Sequence, residues 1–131
     1  MTIRDSHTYD NLLLLKDAGA VTADGAGTVA SVARVLDLGD AKTEGRVVID
    51  TSAVDFTTGD ETQDVVLQGC NAIGFGSGVV QLASLTITAT GRNEALFSTR
   101  QGSTNYRYVR IYTDVNGTTP IDNYTAYIAK N

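Results

Sequence analysis

The chain has 131 residues, with 10 Lys and Arg against 15 Asp and Glu and a net charge of −5. That length suits a single domain able to bury a core of its own, and one cysteine, Cys70, excludes an intrachain disulfide framework. The acidic balance argues against broad phosphate binding, which needs clustered cations, so no nucleic-acid partner is expected.

The first eleven residues, Met1 to Asn11, are polar and without period, and Leu12, Leu13, Leu14 and Leu15 follow abruptly. Four apolar residues are too few for a membrane span or a signal peptide, so no membrane partner is expected and synthesis in a cytoplasm is the default. Residues 1–15 read as an N-terminal arm. It is either a frayed terminus or a segment that orders on a neighbouring subunit, its leucines filling that neighbour's groove.

Residues 16–131 read as one β domain. Alternating apolar and polar residues predict strands at Ala18 to Thr22, Val32 to Leu38, Gly45 to Thr51, Gln63 to Gly69, Val79 to Ala89, Glu94 to Ser98, Asn105 to Val115 and Asn123 to Lys130. Between them lie turn formers such as Asp24-Gly25, Gly39-Asp40, Gly91-Arg92-Asn93 and Asn116-Gly117. No stretch of helix length is amphipathic, and no repeat or linker divides the chain. The expected fold is all-β, an eight-stranded antiparallel β-sandwich of jelly-roll type. Its facing stripes would be Val47 and Ile49, Val65 and Leu67, Leu85 and Ile87, Val109 and Ile111, and Tyr124 with Ile128.

Catalytic constellations are sparse. The only imidazole, His7, lies in the arm, so no base stands ready for a serine or cysteine nucleophile. Cys70 lacks basic flanks and reads as a small buried thiol, and zinc would need more His and Cys than the chain holds. Asp50, Asp55, Asp60, Glu61 and Asp64 could be drawn into a calcium site or a glycosidase pair. Their spacing matches no calcium loop, however, and no tryptophan is present to stack a sugar, so a solvated acidic loop is the plainer reading. Gly74-Phe75-Gly76-Ser77-Gly78 fails as a phosphate loop because no Gly-Lys-Ser follows and a strand comes next. No enzyme, metal or cofactor is expected.

The segment "NYRYVRIYTDV", Asn105 to Val115, is more informative. Strand alternation puts Tyr106, Tyr108, Arg110 and Tyr112 on one face and Arg107, Val109, Ile111 and Thr113 on the other. With Val109 and Ile111 inward, the tyrosine and arginine face is the wall of a sheet, a protein interface, or a platform on which bases stack. Charge adds an orientation, since residues 1–65 carry 5 cations against 12 acids and residues 66–131 carry 5 against 3. If those halves segregate in space the molecule is dipolar, which suits oriented docking.

Four segments, "LKDAGAVTADGAG" (Leu15 to Gly27), "RVLDLG" (Arg34 to Gly39), "GRVVIDTSAVDFTTG" (Gly45 to Gly59) and "RYVRIYTDV" (Arg107 to Val115), occur in this order before a terminal strand. In them the chain resembles the small jelly-roll cement, or capsid decoration, proteins of tailed bacteriophages. It departs from that pattern in its longer polar N-terminus and in the loop "GCNAIGFGSG". The resemblance implies a non-enzymatic virion protein on the outer surface of an icosahedral shell, clamping neighbouring major capsid subunits and self-associating as a dimer or trimer. Leu12, Leu13, Leu14, Leu15, Tyr106, Tyr108, Arg110 and Tyr112 are the expected contacts with capsid or with a second copy. The alternative is a carbohydrate- or receptor-binding sandwich module of a phage virion.

Overall fold

The computed structural model describes residues 13–55, 59, 61–117 and 121–130, with the side chain of Lys130 excepted. The arm reading of residues 1–12, and with it His7 and Leu12, lies outside the described residues, as does Asp60. In chain order the strands are β1 (Leu14–Lys16), β2 (Ala20–Val21), β3 (Gly25–Ala26), β4 (Thr28–Val29), β5 (Val32–Ala33), β6 (Leu36–Asp37) and β7 (Glu44–Asp55). They continue as β8 (Thr62–Cys70), β9 (Val80–Thr86), β10 (Gly91–Ser98), β11 (Arg100–Gln101), β12 (Thr104–Asn105), β13 (Tyr108–Asn116) and β14 (Ile121–Lys130). No described residue is in an α-helix.

The long strands form where alternation is cleanest. In β13 Val109, Ile111, Thr113 and Val115 are buried while Tyr108, Arg110, Tyr112 and Asp114 are half-exposed, the period of two that a half-buried strand requires. Two antiparallel sheets result. One runs β1-β14-β7-β10 with β2 also on β14, and the other runs β3-β13-β8-β9 with β6 also on β13. Leu15, Val47, Ile49, Phe97, Tyr124, Ala126 and Ile128 of the first sheet meet Leu36, Val65, Leu67, Leu82, Val109 and Ile111 of the second in one core. Two sheets sharing one buried layer is an arrangement consistent with a β-sandwich. The expected stripes all reach this core, Leu85 packing at its margin and the others buried.

The expected arm boundary is corrected. Leu14 and Leu15 form β1 and pair with β14, and both are buried, Leu15 in the shared core. Leu14 faces the opposite way, into a second cluster with Val48, Tyr127 and Ala129 that Val29 of the β4–β5 hairpin covers. The run therefore packs on both sides of its sheet within its own chain and is not free to fill a neighbour's groove. Leu13 is half-buried against the core. The hairpin turns at Ala30 and Ser31, with φ of 52° and 64°. A two-residue hairpin turn of this hand needs positive φ at both positions, usually supplied by Asn-Gly. Here the Asp17 carboxylate accepts the Ala30 N–H at 2.8 Å and fixes the turn from outside.

Two predicted strands are interrupted. Val32 to Leu38 divides into β5 and β6, which join different sheets. Asn105 to Val115 breaks at Tyr106 and Arg107, whose backbone leaves the ladder: Tyr106 N–H donates to Thr99 O, Arg107 N–H to Asn71 Oδ1, and Arg107 O accepts from Leu38 N–H.

Candidate functional site

The outer face of the β13 sheet carries the tyrosines and arginines. β13 lies between β8 and the short strands β3 and β6, so its outward side chains are flanked on both sides. Registry sets Tyr108 across from Cys70 and Asp37, Arg110 across from Gln68, Tyr112 between Val66 and Ala26, and Asp114 across from Asp64.

Arg110 is held by three neighbours on this face. Its Nε donates to Gln68 Oε1 at 2.8 Å, and its guanidinium carbon stands 4.4 Å from the centre of the Phe75 ring and 5.7 Å from that of Tyr112. Stacking of this kind holds a guanidinium in one orientation while leaving its N–H groups, which lie in its plane, able to bond. Phe75, at φ 53°, is buried although its loop is otherwise exposed, and its N–H donates to Ala72 O. The loop "GCNAIGFGSG" is thus a cover that folds one ring back beneath Arg110, while Ile73 stays in water.

Beside it, Arg107 grips Asp37 with Nε and Nη2 at 2.8 and 2.9 Å and reaches Asp40 at 3.5 Å. The Arg107 hydrogen bonds, with the Gly39 N–H next in weight, hold the Asp37 carboxyl below the usual range, and Asp37 in turn raises the Arg107 pKa. The Arg107 guanidinium also lies 5.4 Å from the Tyr108 ring.

Three of the expected contact residues, Tyr108, Arg110 and Tyr112, therefore share one face. Tyr106 does not: with its backbone out of the strand it packs against the core beside Gly69. Leu14 and Leu15 are on the other sheet and buried. Phe75, Gln68 and the facing carboxylates Asp64 and Asp114 are parts of the face that the sequence did not announce. Only the glycines around Phe75 hinted that its loop could double back.

The expected acidic loop is dispersed. Asp50 pairs outward with Arg92 at 3.9 Å, and Glu61 is buried and accepts the Gly59 N–H. Asp64 accepts from Thr86 Oγ1 at 2.7 Å. Among the described residues no three His, Cys, Asp or Glu side chains stand together as metal ligands.

A cleft of about 470 Å³ opens on the side where the chain passes from one sheet to the other, lined by Lys16, Asp17, Gly19, Gly27, Ala30 and Thr113 among others. Its wall is mostly backbone and small side chains, with no aromatic ring. Lys16, although buried, donates to the carbonyl oxygens of Tyr124, Gly19 and Asp17 at 2.6, 2.8 and 3.0 Å, and lies 4.4 Å from the Tyr124 ring. All three ammonium protons are committed, so this cation stitches β1 to β14 and is not available to an anionic ligand. Burial lowers its pKa, and Asp122 and then Asp17 act against that. Asp122 is fully buried with neither carboxylate oxygen hydrogen-bonded, and burial pushes its carboxyl up to about 6, with Lys16 drawing it back. Tyr124 OH shares a 2.5 Å hydrogen bond with Thr113 Oγ1, and burial raises its pKa.

Compared with known proteins, the chain matches no family model and no curated protein at a significant level.

Proposed function

We propose that this chain is a capsid decoration protein, which binds the outer surface of an icosahedral phage shell and clamps neighbouring major capsid subunits. The fold reading that goes with it is a jelly roll. Counting β1 with β2 and β3 with β6, the orders first-eighth-third-sixth in one sheet and second-seventh-fourth-fifth in the other support it, and that architecture recurs in viral capsid domains. The observation that carries the functional reading is the half-exposed Tyr108, Arg110 and Tyr112 face, of the residue types that dominate protein interfaces. It stands on a chain whose four motifs resemble the cement proteins, and it is a contact surface toward shell or toward a second copy. Clamping needs only moderate contacts, because each one made raises the effective concentration of the next.

The carbohydrate-binding alternative draws on the cleft, but a wall without aromatic rings gives a sugar nothing to stack on. The test is co-sedimentation of the purified protein with undecorated phage shells across a salt series, beside a control without shells. Saturable binding in a fixed ratio is expected. Folded protein that leaves intact shells bare overturns the proposal and turns attention to glycan binding.

A further inference from the structure

Asn116-Gly117, a turn signal in the sequence, is the chain's one Asn-Gly pair. Asn116 closes β13. It is exposed and pairs with Thr62 at the end of the ladder, and Gly117 follows outside any strand with φ at 98°. A glycine carries no Cβ to screen its nitrogen, so the carbonyl carbon of the Asn116 side chain can reach the Gly117 amide.

The other described asparagines are held. Asn71 Oδ1 accepts the Arg107 N–H, Asn105 Oδ1 accepts from Thr99 Oγ1 while its Nδ2 donates to Asp40 O, and Asn123 Oδ1 accepts the Gly19 N–H. Asn93 lies inside β10 opposite Ile49. Each is followed by a residue with a side chain: Ala72, Tyr106, Tyr124 and Glu94. The one Asp-Gly pair is held as well, since Asp24 Oδ1 accepts the Val115 N–H at 2.8 Å and Gly25 pairs with Thr113. Asn116 bonds outward, its Nδ2 donating to Asp114 Oδ1 at 3.1 Å.

We propose that Asn116 is a site of spontaneous deamidation, through which the folded protein alters the charge of its own outer face. The Gly117 nitrogen attacks Asn116 Cγ. The new N–Cγ bond closes a cyclic imide as the Cγ–Nδ2 bond breaks, and the Gly117 proton leaves with the side-chain nitrogen as ammonia. Water then opens the imide. Addition at Cγ gives an aspartate, and addition at the main-chain carbonyl carbon gives an isoaspartate whose backbone runs through Cβ. Ammonia is lost and water gained, and no other reactant enters.

Either product sets a carboxylate where the Nδ2 donor stood, beside Asp114, which already faces Asp64 across the ladder. Like charges so placed repel and loosen the end of the strand. The outward row of Arg110, Tyr112 and Asp114 thereby gains a further negative charge, so newly made and aged molecules differ on this face.

The full chain is incubated at mildly alkaline pH, folded and in urea, and mapped by peptide mass spectrometry, with isoaspartate methyltransferase counting the rearranged product. In the folded chain Asn116 should convert on the order of tenfold faster, or more, than any asparagine inside a ladder, because a strand end opens at almost no cost and a ladder residue must open first. Asn116→Gln, which has to close a larger ring, should keep its amide. Asn116→Asp carries the product charge and should melt below the parent at low salt, the gap narrowing as salt is added. The proposal is overturned if Asn116 keeps its amide in the folded chain, whether or not it converts in urea, or if another described asparagine converts first. Loss of ammonia from Asn116→Gln at the parent's rate, or aspartate formed without isoaspartate, overturns the imide route. An Asn116→Asp chain that melts with the parent at every salt concentration overturns the effect on the face.

Discussion

Replacing Asp122 with Asn should make the protein more stable at neutral pH, although it deletes the acid that most favours the charge on a buried lysine. Asp122 is fully buried, accepts no hydrogen bond, and titrates at about 6 against 3.8 for an unperturbed carboxyl. A folded-state pKa above the unfolded one means that the proton favours the fold. This contribution is fully present below pH 3.8 and is lost as pH rises through 6. The gap of about 2 pH units, at roughly 1.4 kcal/mol each, is about 3 kcal/mol. Asn mimics the protonated acid, so Asp122→Asn should gain up to that amount at pH 7.5, or about 10 °C in Tm for a domain of this size. The gain should shrink toward zero at pH 4. Urea titrations at pH 4.5, 6 and 7.5, followed by tyrosine fluorescence in a chain without tryptophan, measure it. Asp37 has the opposite sign, its stabilisation being lost only as pH falls below 3.8, and so stays out of this window. The reasoning is refuted if the variant is less stable than the parent at pH 7.5, because Lys16 would then hold the ionised Asp122 more strongly than burial opposes it.

Other substitutions probe the packing. A methyl group added at Gly27 would overlap Ile111 Cγ2 and stand 2.9 Å from Leu15 O, so Gly27→Ala should cost about 1–3 kcal/mol or more in urea denaturation. Leu15→Ala, at a fully buried site, should cost about 2–5 kcal/mol, and deletion through Leu15 should unfold the domain instead of merely loosening it from a partner, which circular dichroism would register. Cys70, buried and with its Sγ bonded to Ser77 O at 3.1 Å, should stay inert to a thiol reagent in buffer and react once urea is added.

The long strands were legible because a period of two sustained over seven or more residues suits a strand with one face buried and little else, as β8 and β13 illustrate. Leu14 to Lys16 was misread for the same physical reason. All three residues are buried, which removes the alternation, and the cover on each side comes from the β4–β5 hairpin and the second sheet. Tyr106 followed the sequence pattern of β13 but not its backbone, since hydrogen bonds to Thr99 and Asn71 draw the chain out of the ladder just before the strand begins. The candidate face was half legible. Its tyrosines and Arg110 sit in one segment, but the Asp64 and Asp114 pairing depends on the registry of β8 with β13, fifty residues away, which no local signal encodes.

The strand order also sets a timetable. β14 is interior to its sheet, between β1 and β7, and β13 is interior to the other, between β3 and β8. Both are translated after every strand they join. On the ribosome, β1, β2 and β7 wait with open edges until residues 121–130 emerge, and the first sheet closes in a single late step. Pairings this distant in sequence fold slowly. A growing chain therefore cannot present the finished Arg110 face before its synthesis has passed β13, and contact with a partner through that face is deferred until then.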